Sequence, residues 1–223
     1  KPIYELPENS LAGNLYFIDV PNSKQSTLIL GRLTLSASDV NYNNLDFANE
    51  ILGGGSAGRL MQILRIEKGY TYGAYSFLRE YREVSPFIAY TRVRANATKQ
   101  SMDIIYDLLD NYGSSFSEED VAITKNKILK GNTRAFESMA AKLAILRNMS
   151  KYDKSTKYLE EDQDELMNLT LDDFTSIINN YITKDKMVYL IVGDKASQWD
   201  EINQLAKGQA IELDIFGNSV SHN

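Results

Sequence analysis

The 223-residue sequence has no cysteine and a single histidine. Without cysteine the chain has no disulfides, thiol nucleophiles, zinc fingers or iron–sulfur ligation. The same absence leaves the compartment open between periplasm and cytoplasm. The one histidine, His222, stands one residue from the C-terminus. A Ser-His-Asp triad would have to recruit it from a terminal segment, where chains fray, so it reads as a tail residue. Neither H-E-x-x-H nor H-x-x-E-H occurs, and hydrolytic zinc needs two or three rigidly held ligands. No apolar run approaches the roughly 18 residues of a membrane span. The longest, MVYLIV at 187–192, has strand length. A net charge of −6 and a pI near 5.0 argue against a nucleic-acid groove or an anionic membrane surface as the main partner.

The sequence is long enough for one large domain or two small ones. No interior linker, low-complexity stretch or short repeat divides it, so residues 1–223 are expected to form one domain, with 1–13 and 218–223 poorly ordered. The chain opens KPIYEL, without Met or signal peptide, as expected of a mature product or an excised piece.

Aromatic and β-branched enrichment predicts strands over 14–20 and 26–36, joined as a hairpin through Pro21 and Asn22. Two more strands are expected at about 71–83 and 86–96. Leu45, Ala48, Ile51 and Leu52 recur at helical spacing, so 42–52 reads as a helix ended by Gly53–Gly55. Leu60, Ile63 and Leu64 mark a second short helix. The second half reads as helices at 99–112, 117–135, 138–151, 157–167 and 170–181. A buried strand at 187–193, a helix at 197–206 and a final strand in IELDIFG follow. Ser117 with Asp120, and Thr170 with Asp173, have capping-box spacing. The expected fold class is α+β: a mixed, mostly antiparallel sheet with helices packed on one face.

Few residues remain to carry chemistry. Gly53, Gly55 and Gly58 satisfy G-x-G-x-x-G, but a dinucleotide site needs a strand before that motif, and here a helix precedes it. A helix cap, or a loop where missing side chains let a peptide backbone approach, fits the context better. The acidic run Glu160, Glu161, Asp162, Asp164 and Glu165 lacks the loop spacing of a calcium site and reads as a solvated helix face. Arg79, Arg82, Arg92 and Arg94 alternate with Tyr75, Tyr81 and Tyr90, and read as paired residues on an exposed sheet face. Across the helix-to-strand corner turned at Gly69, Arg65 and Tyr72 stand seven residues apart, where both could reach one peptide carbonyl.

The segment carrying that pair, LGGGSAGRLMQILRIEKGYTYGAYS, resembles the second-domain signature of the M16 metallopeptidases, the family of pitrilysin, insulin-degrading enzyme and mitochondrial processing peptidase. Members read much like LGGG-xx-SRL-xxx-LRE-xx-GL-x-Y. NLYFIDVPNSKQSTLILG, YNNLDFANEILGG, MVYLIVGD and ELDIFG extend the likeness over most of residues 10–220. The resemblance implies paired domains of about this size around a chamber, one holding zinc through H-x-x-E-H and the other lending an Arg/Tyr pair. That pair falls on Arg65 and Tyr72 as catalytic residues, with Gly53, Gly54 and Gly55 as substrate-binding positions. Two departures stand out. The zinc motif is missing, so the chain looks like the non-catalytic, C-terminal-type half, inactive alone, with no cofactor of its own and Zn in a partner domain. Gly58 replaces the serine before Arg59-Leu60. The resemblance further implies a zinc-bearing N-terminal-type domain and an extended peptide substrate as partners. A catalytically silent structural or peptide-binding member of the same fold is the alternative.

Overall fold

A computed structural model describes residues 11–132 and 136–220. Most of the expected lead-in, the end of the expected tail and His222 lie outside the described residues.

The first half runs β1 (Leu15–Asp19), β2 (Gln25–Leu33), α1 (Tyr42–Gly53), a short α2 (Arg59–Met61), β3 (Thr71–Leu78) and β4 (Pro86–Arg94). The second half supplies α3 (Thr98–Ser115), α4 (Glu118–Asn132), α5 (Met139–Tyr152), α6 (Tyr158–Asn168), α7 (Leu171–Tyr181), β5 (Val188–Gly193), α8 (Lys195–Asn203) and β6 (Ile211–Leu213). The strands form one sheet in the order β3-β4-β2-β5-β1-β6. β3, β4, β2 and β5 pair antiparallel, and β1 runs parallel to both β5 and β6. The sheet is therefore mixed and mostly antiparallel, as the residue pattern predicts.

Alternation along the strands sets the layers. Leu28 and Leu30, Phe87 and Ala89, Tyr189 and Ile191 are buried, while the residues between them stay half-open. The buried rows meet Leu45 and Leu52 of α1, Met102 and Ile105 of α3, and Phe174 and Ile178 of α7 in one core. At α7 the expected capping box is present: Thr170 accepts from the Asp173 amide, and the Asp173 carboxylate accepts from Thr170. The Thr170 hydroxyl, and then its amide, donate to the Asp173 carboxylate and hold it below its usual value.

Two expectations are corrected. β1 and β2 do not pair as a hairpin, because β5 lies between them. β5 is apolar at nearly every position, the composition of a strand flanked on both sides. The β1–β2 loop clasps the end of β5: Val20 donates to the Gly193 carbonyl (2.7 Å), and Asn22, at φ 62°, donates to Asp194 Oδ1 (2.7 Å). β3 also ends at Leu78 rather than near 83. The following loop pairs instead with the segment after β2, through Thr34 N to Ser85 O (2.9 Å) and Ala37 N to Tyr81 O (2.9 Å).

Candidate functional site

The site is assembled at the edge of the sheet where β3 lies. The end of α1 is fastened to that strand first. Asn49 Nδ2 donates to the Ser76 carbonyl (3.0 Å), and Ser76 Oγ returns a bond to Asn49 Oδ1. Gly53 lets the backbones approach, since a Cβ there would stand 2.4 Å from the Ser76 amide nitrogen. Gly53 is buried, Gly54 exposed and Gly55 half-buried. Lys127 ties this turn down by pairing with Glu50 and reaching the Gly54 carbonyl (3.5 Å). The glycine cluster thus ends a helix and seats it against a strand, which is not the strand–turn–helix of a dinucleotide site.

Arg59 opens α2 and is fully engaged. It donates to Ser115 Oγ (2.7 Å), the Ser115 carbonyl (2.9 Å) and Asp120 Oδ2 (2.7 Å), and lies over the Tyr112 ring (5.4 Å). Asp120 also accepts from the Ser117 amide (2.9 Å), so the cap of α4 and the anchor of α2 share one carboxylate.

After Met61 the helix widens. Gln62–Glu67 is π-helical, with Lys68 N bonded to Ile63 O (3.0 Å). Such turns are rare, and many mark functional positions because the extra residue re-aims side chains. Leu64 is buried there, while Arg65 is exposed and makes no side-chain hydrogen bond or ion pair among the described residues. Gly69, at φ 62°, turns the corner. Tyr70 closes it on both sides: its amide donates to the Leu64 carbonyl (2.9 Å), and its carbonyl accepts from Arg94 N (3.1 Å).

β3 then begins with a bulge. Thr71 pairs with Val93 and Ala74 with Thr91, which leaves Tyr72 and Gly73 together against Arg92. Two hydroxyls stitch the irregularity: Thr71 Oγ1 accepts from Gly73 N (3.0 Å), and buried Thr91 Oγ1 reaches both Thr71 Oγ1 (3.0 Å) and the Gly73 carbonyl (2.9 Å). Strict alternation would put Tyr72 on the side of buried Ala74 and Ser76. The extra residue turns it out instead, and Tyr72 is 87% exposed.

The structure therefore sets Arg65 and Tyr72 on the two arms of one corner, each on a backbone irregularity and each in solvent. Sequence reasoning missed the π turn, the bulge and the clamp of Thr71 and Thr91. Only Gly69 signals the corner. Arg92 and Arg94, expected in pairs on an exposed sheet face, do stand there, but their partners are rings: Arg92 lies 5.8 Å from the Tyr90 ring and Arg94 5.8 Å from that of Tyr70. Among the described residues no three His, Cys, Asp or Glu side chains are grouped to hold a metal ion, and no helix there is long and apolar enough to cross a membrane.

The corner thus joins a buried helix–strand junction to an exposed arginine and an exposed phenol at the sheet edge. Comparison with known proteins supplies the class. Residues 2–128, more than half of the chain, match the family model described as the peptidase M16 inactive domain, and the chain belongs to that family. The particular relatives agree. The uncharacterized zinc protease YmxG of Bacillus subtilis is 24% identical over 170 residues, covering 76% of this chain and 42% of that protein. The crystal structure of a peptidase M16 inactive domain from Pseudomonas fluorescens superposes with TM-score 0.73 at 28% identity, over 81% of this chain and 44% of that one. A protease from Helicobacter pylori gives TM-score 0.72 at 15% identity, over 86% and 47%. The chain thus spans less than half the length of these relatives.

Proposed function

We propose that this chain is the non-catalytic, C-terminal-type half of an M16 zinc endopeptidase, working as one domain beside a zinc-bearing half. The observation that carries this reading is the corner itself: a guanidinium and a phenol, both free of partners among the described residues, projecting from a π turn and a bulge. When water adds to a peptide carbonyl, negative charge develops on the oxygen. A zinc ion held by the other half would supply the activation of that water. The chain's own contribution is donors: Arg65 and the Tyr72 hydroxyl bind the developing oxyanion and hold the substrate backbone in register. Among the described residues β3 is an edge strand of the sheet, and an extended peptide can add to such an edge. Of the three glycines expected to bind substrate, Gly54 and Gly55 are not buried and leave room for a peptide backbone, while Gly53 is buried against Ser76.

The competing reading is a silent structural member of the fold. It would be favoured by an Arg65 locked in an internal ion pair, and the exposed Arg65 lends it no support. The test combines the chain with its zinc-bearing half and measures peptide turnover. Substituting Arg65→Ala and Tyr72→Phe together should abolish most of it, and unchanged turnover would remove the assigned role.

A further inference from the structure

The corner holds more positive charge than one oxyanion needs. Arg65 and Lys68 are exposed on one arm, and Arg92 and Arg94 are exposed on the strand facing the other. The register sets Arg92 opposite Tyr72, and Tyr70 binds the backbones of Leu64 and Arg94 at once, so these four cations share one end of the sheet. Among the described residues none of them has a carboxylate partner. Single unpaired cations occur elsewhere, while Arg59, Lys99, Lys127, Lys154, Lys184 and Lys195 are ion-paired; what sets the corner apart is that four such cations are carried on adjoining segments. Glu67 is the one carboxylate of the π turn, and it is exposed. A protein of net charge −6 that leaves four cations unneutralised at one site presents a local positive field there. Tyr90 and Tyr70 support Arg92 and Arg94 from beneath, which limits their freedom and lowers the entropy lost on binding.

We infer that this corner selects peptides carrying acidic side chains, with Arg92 and Arg94 reading carboxylates that flank the backbone segment held by Arg65 and Tyr72. The inference rests on the peptide path proposed above and adds the substrate class.

The test uses the intact chain, isotopically labelled for NMR, and two short unstructured peptides: one with aspartate at alternate positions and its asparagine counterpart. The aspartate peptide should bind about tenfold more tightly at low ionic strength, and the advantage should shrink as salt is added. Arg92→Gln with Arg94→Gln should erase the preference and leave affinity for the asparagine peptide unchanged. Equal affinities, a preference that survives the double substitution, or no binding of either peptide would overturn the inference. So would a single-stranded oligonucleotide that outcompetes the aspartate peptide. The Arg65→Ala/Tyr72→Phe variant separates the two levels. If it keeps turnover with the zinc half while the acidic preference persists, the oxyanion role falls and the charge reading stands. If it loses turnover while both peptides bind alike, the charge reading falls alone.

Discussion

Arg59 and Arg65 stand six positions apart in the chain, each matched with a tyrosine, and the two behave in opposite ways. Arg59 is spent on Ser115, Asp120 and the face of Tyr112, while Tyr112 is completely buried with its hydroxyl on the Ala48 carbonyl (2.5 Å). Burial pushes the Tyr112 phenol far above its ordinary pKa, so it stays a neutral donor. Arg65 and Tyr72 have the same chemistry and none of those partners. Six residues separate the two arginines. What divides them is backbone: the regular start of α2 hands Arg59 to α3 and α4, and the widened turn after it sends Arg65 into solvent. The same residue types hold the fold together where the ladder is regular and become available to a ligand where it breaks.

The sharpest contrast pits stability against turnover. Tyr112→Ala should destabilise the chain by about 3–5 kcal/mol, the range for a large buried ring, as read by chemical denaturation. Arg65→Ala should leave stability within about 0.5 kcal/mol and lower transition-state stabilisation with the zinc half by about 3 kcal/mol, read as kcat/KM. An Arg65→Ala variant that unfolds easily would erase the distinction. Gly53→Ala should fall between them, losing about 1–3 kcal/mol in thermal unfolding, because its Cβ meets the Ser76 backbone, which cannot yield as a flexible side chain would.

The smallest effect concerns α1, on which both pairs lean. Asp46 is pushed up to about 6 by desolvation from the surrounding protein, with repulsion from Glu50 and Glu80 adding to it. Its side chain is nonetheless open to solvent, which screens the effect. A raised folded-state pKa means that the folded chain binds this proton more tightly than the unfolded chain, so the contribution to stability falls as pH rises from about 4 through about 6. Asp46→Asn should therefore stabilise the protein at neutral pH, by about 1 kcal/mol or less, and flatten that part of the stability–pH curve.

The fold class was readable because alternation and helical spacing are strong over most elements: the burial of Leu28 and Leu30, and of Phe174 and Ile178, follows the residue pattern directly. The place of β5 was not. Neighbouring strands in sequence suggest a hairpin, and only the uniform apolarity of VYLIVG hinted at flanks on both sides. The candidate pair was legible as residue types at a spacing around Gly69, without its aim. The bulge is held by tertiary bonds, such as Thr91 Oγ1 to Thr71 Oγ1, that link residues twenty positions apart. Arg59 was noted as a retained motif position, while its anchoring of α2 to Asp120 needs the packing of α3 and α4. The strand of alternating Arg and Tyr puts Arg92 and Arg94 on an exposed sheet face, yet their lack of carboxylate partners among the described residues is not legible in it.

The most direct measurement is a kinetic double-mutant cycle on the chain joined to its zinc-bearing half, with Arg65→Ala, Tyr72→Phe and both together, alongside the unfolding midpoint of each variant. The account predicts that kcat falls steeply in both single variants, that their effects are not additive because they share one oxyanion, and that the midpoints do not move. Unchanged kcat in the double variant, or losses that track the unfolding midpoints, would contradict it.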